Sequence, residues 1–149
     1  MAAHAKIYLA SDHAGVELRK AVAAHIVAQG LQVVDLGPDD GSSVDYPDYG
    51  EKLAMALSDD ADARGVAICG SGIGISIAVN RFPWARAALV SSVEAAKLSR
   101  EHNDANVIAL GERLISEDTA LACIDVFLAT DFEGGRHARR VDKLTKLSS

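Results

Sequence analysis

The chain has 149 residues, 49% of them hydrophobic and 24% charged, which is the composition of one globular domain, and we expect residues 1–149 to form a single domain. A formal net charge of −6 provides no general positive field, so we expect no nucleic-acid partner and no membrane partner. Two cysteines cannot build a disulfide framework, and no leader or membrane segment is visible, which favours a cytoplasmic protein.

The chain alternates short, continuously apolar runs with stretches of helical periodicity. Each apolar run is about five residues long, the usual length of a strand, and the helical stretches end at residues such as Gly30. Ser116 is a good amino-terminal cap for the last long helix. The predicted elements are, in chain order, strand 6–10, helix 16–29, strand 31–36, helix 47–58, strand 65–69, helix 74–80, strand 87–90, helix 93–102, strand 107–110 and helix 117–128.

This pattern predicts the fold class. Strands that are apolar without alternation are buried on both faces, which is typical of a parallel sheet covered by helices. Five strand–helix units with short connections predict an α/β fold, a three-layer doubly wound sandwich with a five-stranded parallel sheet in the order 2-1-3-4-5. A helical extension follows at the carboxyl terminus.

The carboxyl-terminal extension is basic. Residues 136–146 contain five of the fifteen lysines and arginines in the chain. A solvated helix face is the ordinary interpretation of such a segment. On an otherwise acidic chain, however, a group of arginines and a histidine also suits the binding of a single phosphate group.

Two loops are placed to form a ligand site. In open parallel sheets, ligands bind beyond the carboxyl ends of the strands, where the strand order reverses. In the predicted order, that crevice lies between strands 1 and 3, and it is bordered by residues 11–15 and 69–74. Both loops are polar or glycine-rich and lead into a helix, so we expect the site there.

The second loop matches none of three familiar phosphate motifs. Glycines at 70, 72 and 74 leave backbone N–H groups open to an anion. A dinucleotide fingerprint needs glycine where Ile75 stands, and a cysteine phosphatase needs arginine at that same position. A P-loop needs a lysine that this loop lacks.

Several side chains near these loops are candidates for chemistry. Cys69 ends a strand before a helix, where it is either a reactive thiolate or a small core residue. Cys123, in the middle of a helix, is expected to be core. His102 ends a helix and need not face the crevice, whereas Asp12 is well placed for hydroxyl contacts. No group of histidine, cysteine and carboxylate shows metal-ligand spacing, so we expect no metal and no cofactor.

Five motifs occur in an order that resembles a known family. Together they closely resemble type B ribose-5-phosphate isomerases, of the ribose/galactose isomerase family, and the match extends from about residue 6 to residue 147. The motifs are Asp12-His13-Ala14-Gly15, Asp45-Tyr46-Pro47, Cys69-Gly70-Ser71-Gly72-Ile73-Gly74-Ile75-Ser76, His102-Asn103-Asp104-Ala105-Asn106-Val107 and Glu133-Gly134-Gly135-Arg136-His137.

The resemblance implies metal-free interconversion of ribose 5-phosphate and ribulose 5-phosphate through an enediolate, a step of the pentose phosphate pathway. By position, Cys69 matches the general base, Ser71 a group that handles the hydroxyl proton, and His102 the residue that opens the sugar ring. The other matched positions contact substrate. Asp12, Tyr46 and Asn103 match sugar contacts, and the backbone of the loop with Gly70, Gly72 and Gly74 would hold the enediolate oxygens. Phosphate contacts match His13, Arg113, Arg136 and Arg140, with His137 beside them, and Ser76 is a further substrate-binding position.

The resemblance also implies a partner. The family's sites lie at a homodimer interface, so the arginines would come from the partner subunit; whether dimers assemble further into tetramers stays open. One branch of the family uses a glutamate where Ile75 stands, so this chain resembles the cysteine branch. Ser71 replaces a common threonine and keeps the hydroxyl, and Val16 stands where an aromatic residue is frequent.

Two alternative functions remain. An isomerase of galactose 6-phosphate or allose 6-phosphate differs by one carbon in the distance between base and phosphate. A non-catalytic sugar-phosphate sensor would keep the phosphate contacts but has no need of a base, so the presence of Cys69, Ser71 and His102 argues against it.

Overall fold

The structure, a computed structural model, describes residues 5–147 of the chain. Within this range the strands are β1 (Lys6–Ser11), β2 (Gln32–Asp35), β3 (Arg64–Cys69), β4 (Ala87–Leu89) and β5 (Val107–Gly111). The α-helices of the same range are α1 (Val16–Ala28), α2 (Tyr46–Leu57), α3 (Ile73–Val79), α4 (Val93–Glu101), α5 (Glu117–Ala129) and α6 (Arg136–Lys146). The predicted alternation of strands and helices is confirmed, as is the helical extension.

The strands form one parallel sheet in the order β2-β1-β3-β5-β4. The α/β fold class is thus confirmed, but the predicted order 2-1-3-4-5 is wrong at one end. All five residues of β5 are buried, whereas β4 has only three residues and all of them are partly exposed. A fully buried strand needs hydrogen-bonding partner strands on both sides. For this reason β5 lies inside the sheet and the short β4 is the edge strand.

Helices cover both faces of the sheet. On one face, Ile7 and Ile108 belong to a core cluster with residues of α1, α4 and α5, such as Phe127. On the other face, Ala67 and Val107 belong to a cluster with residues of α2 and α3. These three layers are the predicted sandwich. None of the helices in residues 5–147 is long and apolar enough to span a bilayer.

Loops gather at the two ends of the strands, which we name the carboxyl edge, after the last residues of the strands, and the amino edge, before their first residues. At the carboxyl edge, β1 ends beside β3, with Ser11 opposite Ile68, and the Asp12 N–H donates to the Ile68 carbonyl at 3.1 Å. The loops after β1 and β3 are therefore neighbours, as predicted. At the amino edge, helices α4 and α5 end, because each runs back against the direction of the strands.

Candidate active site

Cys69 lies at the carboxyl edge with its sulfur facing a backbone donor. The residue is only 4% exposed, and the Gly72 N–H donates to its Sγ at 3.2 Å. Gly72 reaches this position with φ of 78°, and a Cβ there would lie 2.8 Å from the backbone carbon of Leu110. Only glycine fits this turn. The N–H donor is complementary to the charge of a thiolate.

The loop after Cys69 is fixed by further close contacts. Ser71 Oγ accepts the Ile73 N–H at 3.1 Å, and a Cβ on Gly111 of β5 would lie 2.5 Å from the Ser71 carbonyl carbon. The loop therefore presses directly on the end of β5. Ser76 donates its hydroxyl proton to the Ile73 carbonyl at 2.7 Å, so that proton is already engaged within α3.

Tyr46 forms one side of the loop. Helices α2 and α3 approach so closely that a Cβ on Gly50 would lie 2.7 Å from the Ala78 Cβ. This packing brings the first residue of α2, Tyr46, against Gly74, where a Cβ would lie 2.6 Å from the tyrosine ring. Tyr46 is 43% exposed, so part of the residue is open to solvent beside the loop.

Asp12 and His13 border the other side. Asp12 is 7% exposed, and its Oδ1 accepts the Ala14 N–H at 2.9 Å. His13 Nδ1 lies 3.1 Å from the Val44 backbone nitrogen and 3.2 Å from the Val44 carbonyl oxygen, so the Val44 backbone holds the imidazole ring in either tautomer. The exposed His13 side chain is thereby held in place next to Asp12.

Arg113 lies in the same chain as this loop. Its N–H donates to the Gly70 carbonyl at 3.0 Å, and a Cβ on Gly70 would lie 3.0 Å from its Nη1. Arg113 thus lies beside the glycine loop of its own chain, whereas the resemblance implied that the arginines come from a partner subunit. This fixed turn after β5 puts an exposed guanidinium next to the glycine loop.

Two further side chains hold these loops, the buried Arg19 and the half-buried Glu112, and neither was predicted from the sequence. Arg19 Nη1 donates to Ser11 Oγ at 2.6 Å, and its Nε lies 3.0 Å from Asp35 Oδ1. Glu112 Oε1 accepts the Leu18 N–H at 2.6 Å, while the Glu112 N–H donates to the Cys69 carbonyl at 3.0 Å. The signal for Arg19 was its place at helical spacing on the same face as the buried Val22.

A second group of predicted residues gathers at the amino edge. The rings of His102 and His137 stack with centroids 4.4 Å apart and planes 15° apart. Glu133 Oε1 lies 3.4 Å from His137 Nε2 and 3.9 Å from His102 Nε2. We name His102, Glu133 and His137 the histidine cluster. Their ligand atoms all lie within 4.8 Å of one another, so folding assembles a potential metal-binding trio that spacing in the sequence did not indicate.

The pKa of His137 is lowered from its ordinary value of 6.5. Burial is the largest cause, followed by repulsion from His102 and from the neighbouring Arg136, whereas Glu133 acts in the opposite direction. The neutral imidazole is therefore favoured in the folded protein. Arg136 and Arg140 lie exposed on the same helix.

The predicted site residues thus divide between two edges. Cys69 pairs with Gly111 at one end of β5, and Gly65 pairs with Val107 at the other. Four steps of about 3.3 Å along β5 place the two edges about 13 Å apart. Asp12, His13, Tyr46, Cys69 to Gly74 and Arg113 form one group, which we name the loop cluster; His102, Asn103, Arg136, His137 and Arg140 lie toward the other edge.

Asn103 lines a cavity that is separate from Cys69. This cavity of about 650 Å³ is lined by residues of the amino edge and of α6, Arg86 and Leu144 among them, and does not include Cys69. One chain therefore does not bring Asn103 and His102 to the loop cluster.

Comparison with known proteins gives a consistent result. Residues 7–144 match the family model described as Ribose/Galactose Isomerase. Ribose-5-phosphate isomerase B of Escherichia coli (strain K12) is 40% identical over 142 residues, covering 95% of each chain. The structure of ribose 5-phosphate isomerase B from Anaplasma phagocytophilum is 51% identical with a TM-score of 0.91, covering 97% of this chain and 99% of that one. The structure of the Mycoplasma genitalium enzyme with bound ribulose-5-phosphate is 39% identical with a TM-score of 0.91, covering 95% and 94%.

The lowered pKa of His137 predicts a pH dependence of stability. Between that pKa and 6.5 the unfolded chain binds more protons than the folded chain, so the free energy of unfolding should fall as pH drops through this window. Urea unfolding at a series of pH values should show a shallower fall for His137→Gln than for the wild type. His25→Gln, which removes a histidine paired with Asp125, is the control and should retain the wild-type fall. Equal slopes for His137→Gln and the wild type would contradict the prediction.

Proposed function

Because this chain belongs to the ribose/galactose isomerase family, we propose that it interconverts ribose 5-phosphate and ribulose 5-phosphate. The observation that carries the proposal is the position of Cys69, whose Sγ accepts the Gly72 N–H. It lies at the carboxyl edge, where open parallel sheets bind ligands. The names of the relatives support the substrate class, and the bound ribulose-5-phosphate of the Mycoplasma genitalium structure supports it most directly.

The reaction moves one proton between neighbouring carbons. In the open-chain aldose, the Cys69 thiolate takes the proton from carbon 2, and the electron pair of that C–H bond forms the double bond of an enediolate. Returning the proton to carbon 1, with transfer of a hydroxyl proton from the oxygen on carbon 2 to the oxygen on carbon 1, gives the ketose. The electrons stay within the sugar, so no redox cofactor takes part, and the mechanism that we propose uses no metal.

Charge on the enediolate oxygens needs donors that are already in place. Within residues 70–74, the N–H groups of Gly72 and Ile73 already donate to Cys69 Sγ and Ser71 Oγ. The N–H groups of Gly70, Ser71 and Gly74 are proposed for this role, because contacts with β5 and Tyr46 leave the loop little freedom to move. Ser71, whose Oγ already accepts a backbone N–H, has a hydroxyl proton to exchange with the sugar oxygen. Asp12 and Tyr46 border the same loop and are proposed to bind the sugar hydroxyls.

A second copy of the chain is proposed to complete the site. The residues proposed for ring opening and for half of the phosphate binding lie toward the amino edge, whereas Cys69 lies at the carboxyl edge, and the length of β5, about 13 Å, separates the two edges. Ile73, Ile77 and Leu89 beside the glycine loop are each about half exposed, although large apolar side chains favour burial. A homodimer would cover them and bring the partner's amino edge to the loop cluster.

The phosphate is proposed to lie between the two copies. His13 and Arg113 would contact it from the chain that supplies Cys69, and Arg136 and Arg140 from the other. Guanidinium groups match the phosphate oxygens in geometry as well as charge. Binding the phosphate at a distance from the reacting carbons orients the substrate for proton transfer.

Removing the proposed base tests the chemistry. Cys69→Ala should lower kcat by about 100- to 10,000-fold, the range contributed by general acid–base catalysis. Cys123→Ala is the matched control, because Cys123 is a buried cysteine in α5 and should keep its activity per folded molecule. The measurement is ribulose 5-phosphate formation at saturating substrate. Near-normal kcat in Cys69→Ala would remove this residue as the base.

The arginines of α6 test the phosphate assignment. Arg136→Ala and Arg140→Ala should each raise KM for ribose 5-phosphate by about 10- to 100-fold, because a hydrogen bond between charged groups contributes about 1.5–3 kcal/mol. Arg139→Ala removes an exposed arginine of the same helix and serves as the control. A KM that rises as much in Arg139→Ala would instead indicate a general effect of charge.

A further inference from the structure

The histidine cluster draws its three side chains from separate segments. His102 follows α4, Glu133 lies in the connection between α5 and α6, and His137 is in the first turn of α6. The Glu133 N–H donates to the Glu101 carbonyl at 3.1 Å, which ties the connection to the end of α4. Gly134 and Gly135 then turn the chain with φ of 68° and 55°, so that α6 begins with His137 facing His102.

We propose that the histidine cluster binds Zn²⁺, with two imidazole nitrogens, one carboxylate oxygen and water as ligands. This donor set, with one position left to solvent, is typical of zinc sites with an open coordination position. Zinc holds such ligands at about 2.0–2.2 Å, so the donors stand roughly 3.4 Å apart. Glu133 Oε1 already lies 3.4 Å from His137 Nε2, and it lies 3.9 Å from His102 Nε2.

The side chains that would have to move to bring the ligand atoms around one ion are the exposed ones. The side chains of His102 and Glu133 are 38% and 49% exposed, whereas that of His137 is only 8% exposed and provides a fixed point. Small rotations of the two exposed side chains can direct their ligand atoms toward one ion. The solvent side then supplies the fourth ligand.

A bound metal would act on the reaction as an inhibitor. It would occupy Nε2 of His102, the group proposed to open the sugar ring, and it would hold His137 away from the phosphate. This consequence rests on the proposed function; metal binding itself does not, and the two are measured separately.

Binding is tested by titrating the full-length chain with ZnCl₂ in a calorimeter. The titrations use a Cys69→Ser background so that its thiolate does not compete. We expect one Zn²⁺ per chain, and we expect Glu133→Gln and His137→Gln each to weaken binding at least about tenfold, in line with the loss of a group that supports the metal. Glu101→Gln and His25→Gln remove the same chemical groups outside the cluster and should bind as before. Absence of binding, or unchanged binding in Glu133→Gln, would overturn the site.

Inhibition is tested with Cys69 intact. Zn²⁺ should lower isomerase activity reversibly, with EDTA restoring it, and Glu133→Gln should keep its activity without metal yet need at least about tenfold more Zn²⁺ for inhibition. Equal inhibition of Glu133→Gln and the wild type would assign the effect to Cys69 and overturn the inhibitory role. A chain that binds Zn²⁺ at the cluster but has no isomerase activity would refute the proposed function and leave the metal site standing.

Discussion

The length of β5 is the constraint on which the rest of this site depends. The strand joins the two edges of the sheet, with Gly111 beside Cys69 at one end and Val107 leading back to His102 at the other. All five residues are buried and pair with β3, and the first three also pair with β4, so the separation of about 13 Å is rigid. This separation is the reason for proposing that a small sugar phosphate meets groups from two chains.

Close backbone contacts explain why the loop cluster is held in place. Gly15 approaches β3 so closely that a Cβ would lie 2.8 Å from the Ile68 carbonyl oxygen, and Gly111 and Gly72 make contacts of the same kind with their neighbours. The buried Arg19 adds a polar link between the end of β1 and the end of β2. Together these contacts fix donors in advance of substrate, which is the property that stabilises charge developing during a reaction.

Features of the fold that depend on a local sequence pattern, namely the strands and the two loops of the site, were predicted from the sequence. Apolar runs located the strands, and the switch-point rule located the two loops whose contact is seen between Asp12 and Ile68. The position of β4 was predicted wrongly because strand order depends on burial of a whole strand, which a three-residue run such as Ala87–Leu89 reveals poorly. The histidine cluster was not predicted, because Glu133 and His137 are far from His102 in the sequence and no short metal-ligand spacing joins them. The three residues meet only where the ends of helices come together.

The resemblance supplied candidate residues but no distances. It named Cys69 and His102 together, and only the topology separates them within one chain and keeps Arg113 beside Gly70. The departure from the glutamate branch is consistent with the fold, since Ile75 is fully buried in the core between α2 and α3, where a carboxylate would lose its hydration.

The most direct test of the two-chain site is a purified heterodimer of Cys69→Ala and His102→Ala subunits carrying different affinity tags. If each site takes Cys69 from one copy and His102 from the other, one of the two sites in this heterodimer is intact while both homodimers are inactive. The account predicts about half the kcat of the wild-type dimer. A heterodimer as inactive as its parents would contradict it, because a site built within one chain would be damaged in both subunits.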